Sequence, residues 1–522
     1  MNIMKSYKKL LGIVALSITA TFTACTGDLN VTPIDPNLNT PSNVLTSTSA
    51  YDQLLAKAYV GLAVSSPDGS SGDSDISGID GGFGQYLRAL YNCEELPTDE
   101  AVIGWNDQTV KDLHNLSWST SDVFVTAMYS RLFYQIALCN EVIRQIKAST
   151  IKNDTMTQYM NEARCLRALS YYHAIDLFGN VPFVTDASSV GGTNPKQIMR
   201  KDLFNWLTTE VKSFADNLPA NPDKYRCGQG MADMILAKLY LNAKVYTGTA
   251  KYDSCAYYCG KIVNLGYKLE STANYKNLFG ASNDQYLGIG HEIIFSVYQD
   301  EINTQAYGGT TYLMNAAIGG SMSANSYGAS GGWGGLRVTP EYVNKFTTSD
   351  ARYLFYTSGQ KEQIVDISDF TNGYAYPKFT NLRTDGTYKD IASFCNADFP
   401  VFRLADVYLM LAECQIVGGV SVNINGMTGI DYFNAVRTRA GVSTMASPTS
   451  SDILDERGRE LGWECHRRSD LVRFGKLTTG DYIWSWKGGT QAGTAVDSKY
   501  NLFPIPSSDI NSNSNLTQNT GY

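Results

Sequence analysis

One local pattern recurs four times inside apolar helical periods: Ala56-x-x-Tyr59, Ala168-x-x-Tyr171, Ala237-x-x-Tyr240 and Ala405-x-x-Tyr408. A small residue one turn away from an aromatic is what closely packed helix pairs require. After the third and fourth copies, a glycine-containing turn leads to a second amphipathic stretch, at 253–265 and 430–439. Ala168 and Ala237 lie 69 residues apart, close to two of the roughly 34-residue periods of tetratricopeptide repeats. Chance recurrence in a helical chain rich in alanine and tyrosine is the competing account. The pattern predicts a mainly α fold, a tetratricopeptide-like helical-repeat scaffold over about 50–65, 120–270 and 400–476.

Between these blocks the composition shifts. Residues 66–87 and 305–337 are rich in Gly and Ser, and aromatics punctuate them at Phe83, Tyr86, Tyr307, Tyr312, Tyr327 and Trp333. Long glycine-rich loops in a compact protein are usually functional or disordered, and the aromatics favour function. The expected binding lobe is therefore loop-rich and short-stranded, built from insertions at about 66–115 and 270–400, with a C-terminal tail at 477–522. A chain of 522 residues buries several ordinary cores without disulfides or metals.

The N-terminus reads as an address. Lys5, Lys8 and Lys9 precede a short apolar run, and small residues lead to Phe22-Thr23-Ala24-Cys25. That is the layout of a secretory signal peptide over 1–24, too short to span a bilayer. Its end resembles a bacterial lipobox, with Cys25 as the lipidated mature N-terminus. Residues 25–49, rich in Pro, Asn, Ser and Thr, read as a tether between lipid anchor and body.

Little in the sequence marks out catalytic chemistry; among fifty acidic residues nothing singles out a carboxylate pair for glycoside hydrolysis, whose separation is a three-dimensional property. The net charge is −8, and a mildly acidic chain without a basic block is a poor nucleic-acid binder. The four histidines are scattered and form no metal motif; Cys255 and Cys259 have helix spacing rather than CxxC spacing. Gly328-Ala-Ser330-Gly-Gly332 matches GxSxG, but both flanks are Gly/Ser loop rather than the strand and helix of a nucleophile elbow. Asp73-x-Asp75-x-Ser77-Gly78 starts like a calcium loop, yet its twelfth position is Gly84. Asp73 and Asp75 are thus weak cation candidates, for a structural calcium at most, and no other cofactor is expected. Glu456, Glu460 and Glu464 share a helical face among Arg457, Arg459, Arg467, Arg468 and Arg473. Like charges so spaced repel unless cations pair with them, so this segment reads as a structural arginine–carboxylate lattice.

Aromatic recognition remains. A hexose is neutral and polar at its rim, with C–H groups on its faces; indole and phenol rings bury the faces while amides and guanidinium groups bond the hydroxyls. Trp105, followed by Asn106-Asp107-Gln108, and Trp333, flanked by glycines, are candidate platforms.

Several stretches resemble the SusD/RagB family of Bacteroidetes outer-membrane lipoproteins. They are Asn161-Glu-Ala-Arg-Cys-Leu-Arg-Ala-Leu-Ser-Tyr-Tyr172 with Asp176-Leu-Phe-Gly-Asn-Val-Pro182, Phe402-Arg-Leu-Ala-Asp-Val-Tyr-Leu-Met-Leu-Ala-Glu413, the 456–476 charge cluster, and the ending Phe503-Pro-Ile-Pro506 through Tyr522. Tyr91-Asn-Cys-Glu-Glu-Leu-Pro-Thr-Asp-Glu100, Tyr307-Gly-Gly-Thr-Thr-Tyr-Leu313, Arg468-Ser-Asp-Leu-Val-Arg-Phe-Gly475 and Trp484-Ser-Trp-Lys-Gly-Gly489 are similar to the family's starch-binding founder. The resemblance implies an arc of Trp105, Tyr307 and Trp333 for α-glucan, with Arg88 as the arginine and Gln108 in place of an asparagine; Ile103 replaces a further tryptophan. It also implies four tetratricopeptide-like units, an outer-membrane, surface-exposed lipoprotein, a SusC-like TonB-dependent barrel as partner, and no catalysis. Alternative ligands are another glycan such as dextran, or peptide, as in RagB-like relatives.

Overall fold

A computed structural model describes residues 40–388 and 392–522. The expected signal peptide 1–24, Cys25 and the tether as far as residue 39 lie outside the described residues. The chain divides at Ala50/Tyr51. Within the N-terminal unit, residues 41–44 form a one-turn helix with Pro41 at its first position, and Thr40 N–H donates to Asn43 Oδ1 at 2.7 Å.

Among the described residues there are thirteen α-helices of seven residues or more. In chain order they are α1 (Thr48–Val60), α2 (Tyr86–Glu94), α3 (Gln108–His114), α4 (Val123–Ala148), α5 (Asp154–Leu177), α6 (Arg200–Lys212), α7 (Gln229–Leu241), α8 (Tyr252–Leu265), α9 (Gly309–Ala316), α10 (Leu404–Ile416), α11 (Gly429–Arg439), α12 (Ser450–Leu461) and α13 (Arg467–Arg473). Strands are few: β1 (Val102–Ile103), β2 (Val181–Pro182), β3 (Gln197–Ile198), β4 (Ile293–Val297), β5 (Leu336–Arg337) and β6 (Phe399–Arg403). They pair only as the antiparallel ladders β1–β5, β2–β3 and β4–β6. The fold is mainly helical, as the period predicts. No described helix is long and apolar enough to cross a membrane.

Caps explain where the helices begin. Asp122 accepts from Phe124 and Val125 N–H at the start of α4, Asn153 from Met156 at α5, and Thr428 and Thr449 form capping boxes with Asp431 and Asp452 at α11 and α12. The pairs α4–α5, α7–α8 and α10–α11 pack closely, and α8 against α10 and α10 against α12 continue the stack. Ala168, Ala237 and Ala405 are fully buried, as close approach of helices demands. The first copy of the pattern behaves differently: Ala56 is exposed on α1, and Ala58 takes the buried position. The 66–115 insertion is also less loop-like than its composition implies, because it contains α2 and α3.

The charged segment of α12 and α13 is buried. Arg352 pairs with Asp350, Glu456 and Glu460; Arg403 with Glu292, Glu460 and Glu464; Arg439 with Glu292 and Glu460. Arg457 pairs with Asp406 and Asp470, and Arg473 with Glu413 and Asp470. Burial alone would raise Glu456 and Glu460. The guanidinium groups of Arg352 and Arg459 around the first, and of Arg439, Arg403 and Arg352 around the second, outweigh it and bring each to about 2.

This lattice grips the segment that leaves α2. Arg467 binds Asp99 through Nε and Nη2 at 2.7 and 2.8 Å, and Trp463 Nε1 donates to Glu100 O at 2.9 Å. Cys465 and His466 N–H both donate to Glu95 Oε1. Residues 95–100 are thereby gripped by α13 and the link that precedes it, from far along the chain, just ahead of β1.

Candidate functional site

Antiparallel pairing of β1 with β5 matches Val102 to Arg337 and Ile103 to Leu336, and Gly104 N–H donates to Gly335 O at 3.0 Å. Extending that register carries Trp105 alongside the 333–335 turn. Trp105 Nε1 donates to Trp333 O at 3.2 Å, and the two ring centroids are 6.3 Å apart. The approach is close enough to demand glycine at 335, where a Cβ would lie 2.6 Å from the Trp105 ring. Trp333 N–H donates to Asn315 O at 2.7 Å and Gly334 N–H to Ile318 O, tying the turn to the end of α9.

Tyr307 arrives at the same place from the other end of α9. Gln85, the N-cap of α2, accepts from both Arg88 N–H at 2.9 Å and Gly309 N–H at 3.0 Å, while its Nε2 donates to Leu62 O. A Cβ on Gly308 would lie within 2.4 Å of the Gln85 side chain, so only glycine lets the chain pass here. Arg88 Nη1 then donates to Tyr307 O at 2.8 Å. The Tyr307 ring, 45% exposed, stands 6.1 Å from Trp333.

The predicted residues Trp105, Trp333, Tyr307 and Arg88 thus come together. Ring planes turn by 44° from Trp105 to Trp333 and by 63° from Trp333 to Tyr307, so the rings form an arc rather than a flat wall. The Arg88 guanidinium lies 5.7 Å from the Trp105 ring and 4.4 Å from that of Tyr312. Among the described residues, its Nη1 alone has an acceptor, and its buried Nε has none.

Gln108 is not part of this cluster of contacts. It begins α3, is exposed, and donates Nε2 to Asp112 Oδ1 at 2.8 Å. Ile103 sits buried in β1. Phe394 is the member that sequence reasoning missed: its ring lies 5.7 Å from Tyr307 and extends the row. Nothing within its own stretch marks it; Asn315 donating to Ser393 O, Asn381 to Phe394 O, and Thr311 Oγ1 accepting from Cys395 N–H hold it there.

Other candidates resolve structurally. Tyr86 and Tyr312, read as loop aromatics, are buried; Tyr86 donates to or accepts from His173 Nδ1 at 2.8 Å, and Tyr312 OH donates to Asn92. Asp75 is taken up by Arg131 at 2.9 Å. Asp73 has no acidic, His or Cys cluster around it, since the described residues contain no group of three such side chains able to hold a metal ion. Ser330 of the GxSxG match shares a hydrogen bond with Ser393 at 3.0 Å.

Residues 355–522 match the SusD family model. Over 572 aligned positions the chain is 32% identical to the starch-binding protein SusD of Bacteroides thetaiotaomicron, covering 99% of each. The chain belongs to the SusD family. Among solved structures, a SusD superfamily protein from Bacteroides vulgatus superposes with a TM-score of 0.71 at 17% identity, over 91% of this chain and 99% of that one. The surface glycan-binding protein A of Bacteroides thetaiotaomicron in complex with laminarihexaose superposes at 0.69 and 18% identity, over 90% and 99%. Both likenesses concern the fold. Of the clustered residues described above, Phe394 falls within the 355–522 match, whereas Trp105, Tyr307, Trp333 and Arg88 precede it.

Proposed function

We propose that this SusD-family protein is a binding protein without catalytic activity, capturing starch-type α-glucan on the Trp105–Trp333–Tyr307 arc. Anchored to the outer membrane through lipid on Cys25, it hands the sugar to a SusC-like TonB-dependent transporter. The observation that carries the reading is the row of rings at successive spacings of about 6 Å, inclined to one another by 44° and 63°. A helical α1,4-linked chain presents successive C–H faces inclined to one another, as these rings are, whereas a flat ribbon does not. Each stacked sugar contributes modestly, in line with the roughly 0.5–1.5 kcal/mol of aromatic contacts beyond burial, so useful affinity needs several rings together. Arg88 supplies Nη2, which has no acceptor among the described residues, as Nη1 is given to Tyr307 O. The similarity to the starch-binding SusD supports the ligand class.

Calorimetry against maltoheptaose, a cyclodextrin and dextran tests the reading. Binding of the first two, with little change between low and high salt, is expected because no ion pairing with ligand is involved. Dextran binding with no response to cyclodextrin would remove the α1,4 assignment. Release of reducing sugar from starch would remove the non-catalytic role.

A further inference from the structure

The glycine-rich excursion that delivers Trp333 carries a second exposed-edge aromatic, Tyr327, six residues earlier. Tyr327 forms one wall of a cleft of about 330 Å³ whose other walls include Tyr353, Phe355 and Tyr356, with Lys276 and Arg383 at its rim. That volume falls at the small end of the range for ligand sites, roughly 300–1,000 Å³. The cleft is built rather than incidental. Tyr356 N–H is fixed by Ala375 O at 2.9 Å, and its hydroxyl meets Ser321 Oγ of the same excursion at 3.2 Å. Ser321 Oγ also donates to Ser358 O at 2.9 Å, and Asn381 N–H donates to Tyr327 O at 2.9 Å. Phe355 is wedged between Tyr353 and Tyr376 at 4.9 and 5.0 Å.

Its chemistry matches a neutral, faced ligand. Tyr327, Tyr353 and Tyr356 are half-buried, leaving ring area for stacking. The one buried charge in the lining, Lys378, is spent on Gly462 O and Glu464, both at 2.6 Å. Lys276 and Arg383 are exposed and enter no ion pair among the described residues, so they are donors available to hydroxyl groups. Six residues of chain span at most about 22 Å, which bounds the separation of Tyr327 from Trp333 along one short segment.

We propose that this cleft is a second contact for the same neutral glycan, engaged by chains long enough to reach from Trp333 to Tyr327. The proposal rests on the function given above. Two linked contacts on one polymer raise apparent affinity through effective concentration rather than through a stronger primary site. The protein would then favour polymer over short or closed oligosaccharides.

The test compares soluble starch with a cyclodextrin, a closed ring that cannot extend beyond the arc, using calorimetry and affinity electrophoresis. In the double variant Tyr327→Ala/Tyr356→Ala, cyclodextrin affinity stays within twofold of the parent, while starch affinity falls about tenfold or more. Retained cyclodextrin binding also shows that the variant is folded. Unchanged starch affinity with intact cyclodextrin binding overturns the second contact and leaves the arc standing. A parent protein that binds neither sugar overturns the functional reading, and this inference with it. If the double variant loses cyclodextrin as well, the single exchange Tyr353→Ser decides by the same comparison: a selective loss on starch supports the second contact, and none overturns it.

Discussion

Two regions of this molecule are rich in side chains capable of strong polar or aromatic interactions, and they are put to opposite uses. Around α12 and α13, guanidinium and carboxylate groups are withdrawn from water and matched to one another. Arg403 alone meets Glu292, Glu460 and Glu464. Around Trp333 the rings remain partly exposed, and Arg88 keeps donors without a protein acceptor. Charge that is fully matched locks geometry but is no longer available to a ligand; surface left unmatched can bind but depends on something else to hold it in place. The lattice supplies that hold, because Arg467, Trp463 and Cys465 grip residues 95–100, just ahead of β1 and Trp105.

The contrast breaks most visibly at Arg403. Arg403→Met strands buried carboxylates, and removing one partner of a buried pair costs about 3–5 kcal/mol; the melting temperature should fall steeply, or folded protein should not be recovered. A variant that melts like its parent would show that the lattice is dispensable. Acid probes the same region without mutation. Glu456 and Glu460 titrate at about 2 in the folded protein, below the ~4.3 of an unstructured glutamate. The folded state therefore binds fewer protons, and the stability these groups provide, present above pH ~4, is lost as pH falls toward 2. Thermal melts at stepped pH read this directly, and a flat profile across that window would contradict it.

The arc should respond in binding and not in stability. Trp333→Ala removes the middle ring, and about 2 kcal/mol, the level of a hot-spot residue, corresponds to roughly thirtyfold weaker maltoheptaose binding. Its melting temperature should remain near that of the parent. Gln108→Ala defines the small end: with its amide already given to Asp112, the change in affinity should stay below about twofold, and a larger loss by calorimetry would return Gln108 to the site.

Much of the scaffold was legible because helical period and charge spacing are local signals. Ala168, Ala237 and Ala405 mark helix contacts, and Glu456, Glu460 and Glu464 announce a lattice four residues at a time. The first copy of the alanine pattern misled because Ala56 and Ala58 sit two residues apart, on opposite sides of α1, and the motif alone does not say which faces inward. For the site, resemblance carried Trp105, Tyr307, Trp333 and Arg88, whose convergence depends on a two-residue ladder and a capped helix start that no local pattern displays. Phe394 was invisible for the same reason: it reaches Tyr307 through bonds made by Asn315, Thr311 and Asn381, remote or unremarkable in the chain. Gln108 shows how a residue type suited to a sugar hydroxyl can make a contact within its own helix, with Nε2 bonded to Asp112, that sequence does not display.

Gln85 has a wider consequence. One buried amide orders the start of α2, the start of α9 and the turn that leaves α1 at Leu62, so the guanidinium at 88 and the phenol at 307 share a single mooring. On the proposed function, adapting the arc to a differently shaped sugar is open through position 394, while positions 105 and 333 move together because Trp105 bonds Trp333 O. It is closed through position 85, where an exchange would release the backbone at both Arg88 and Gly309 and so displace the guanidinium and the Tyr307 ring together.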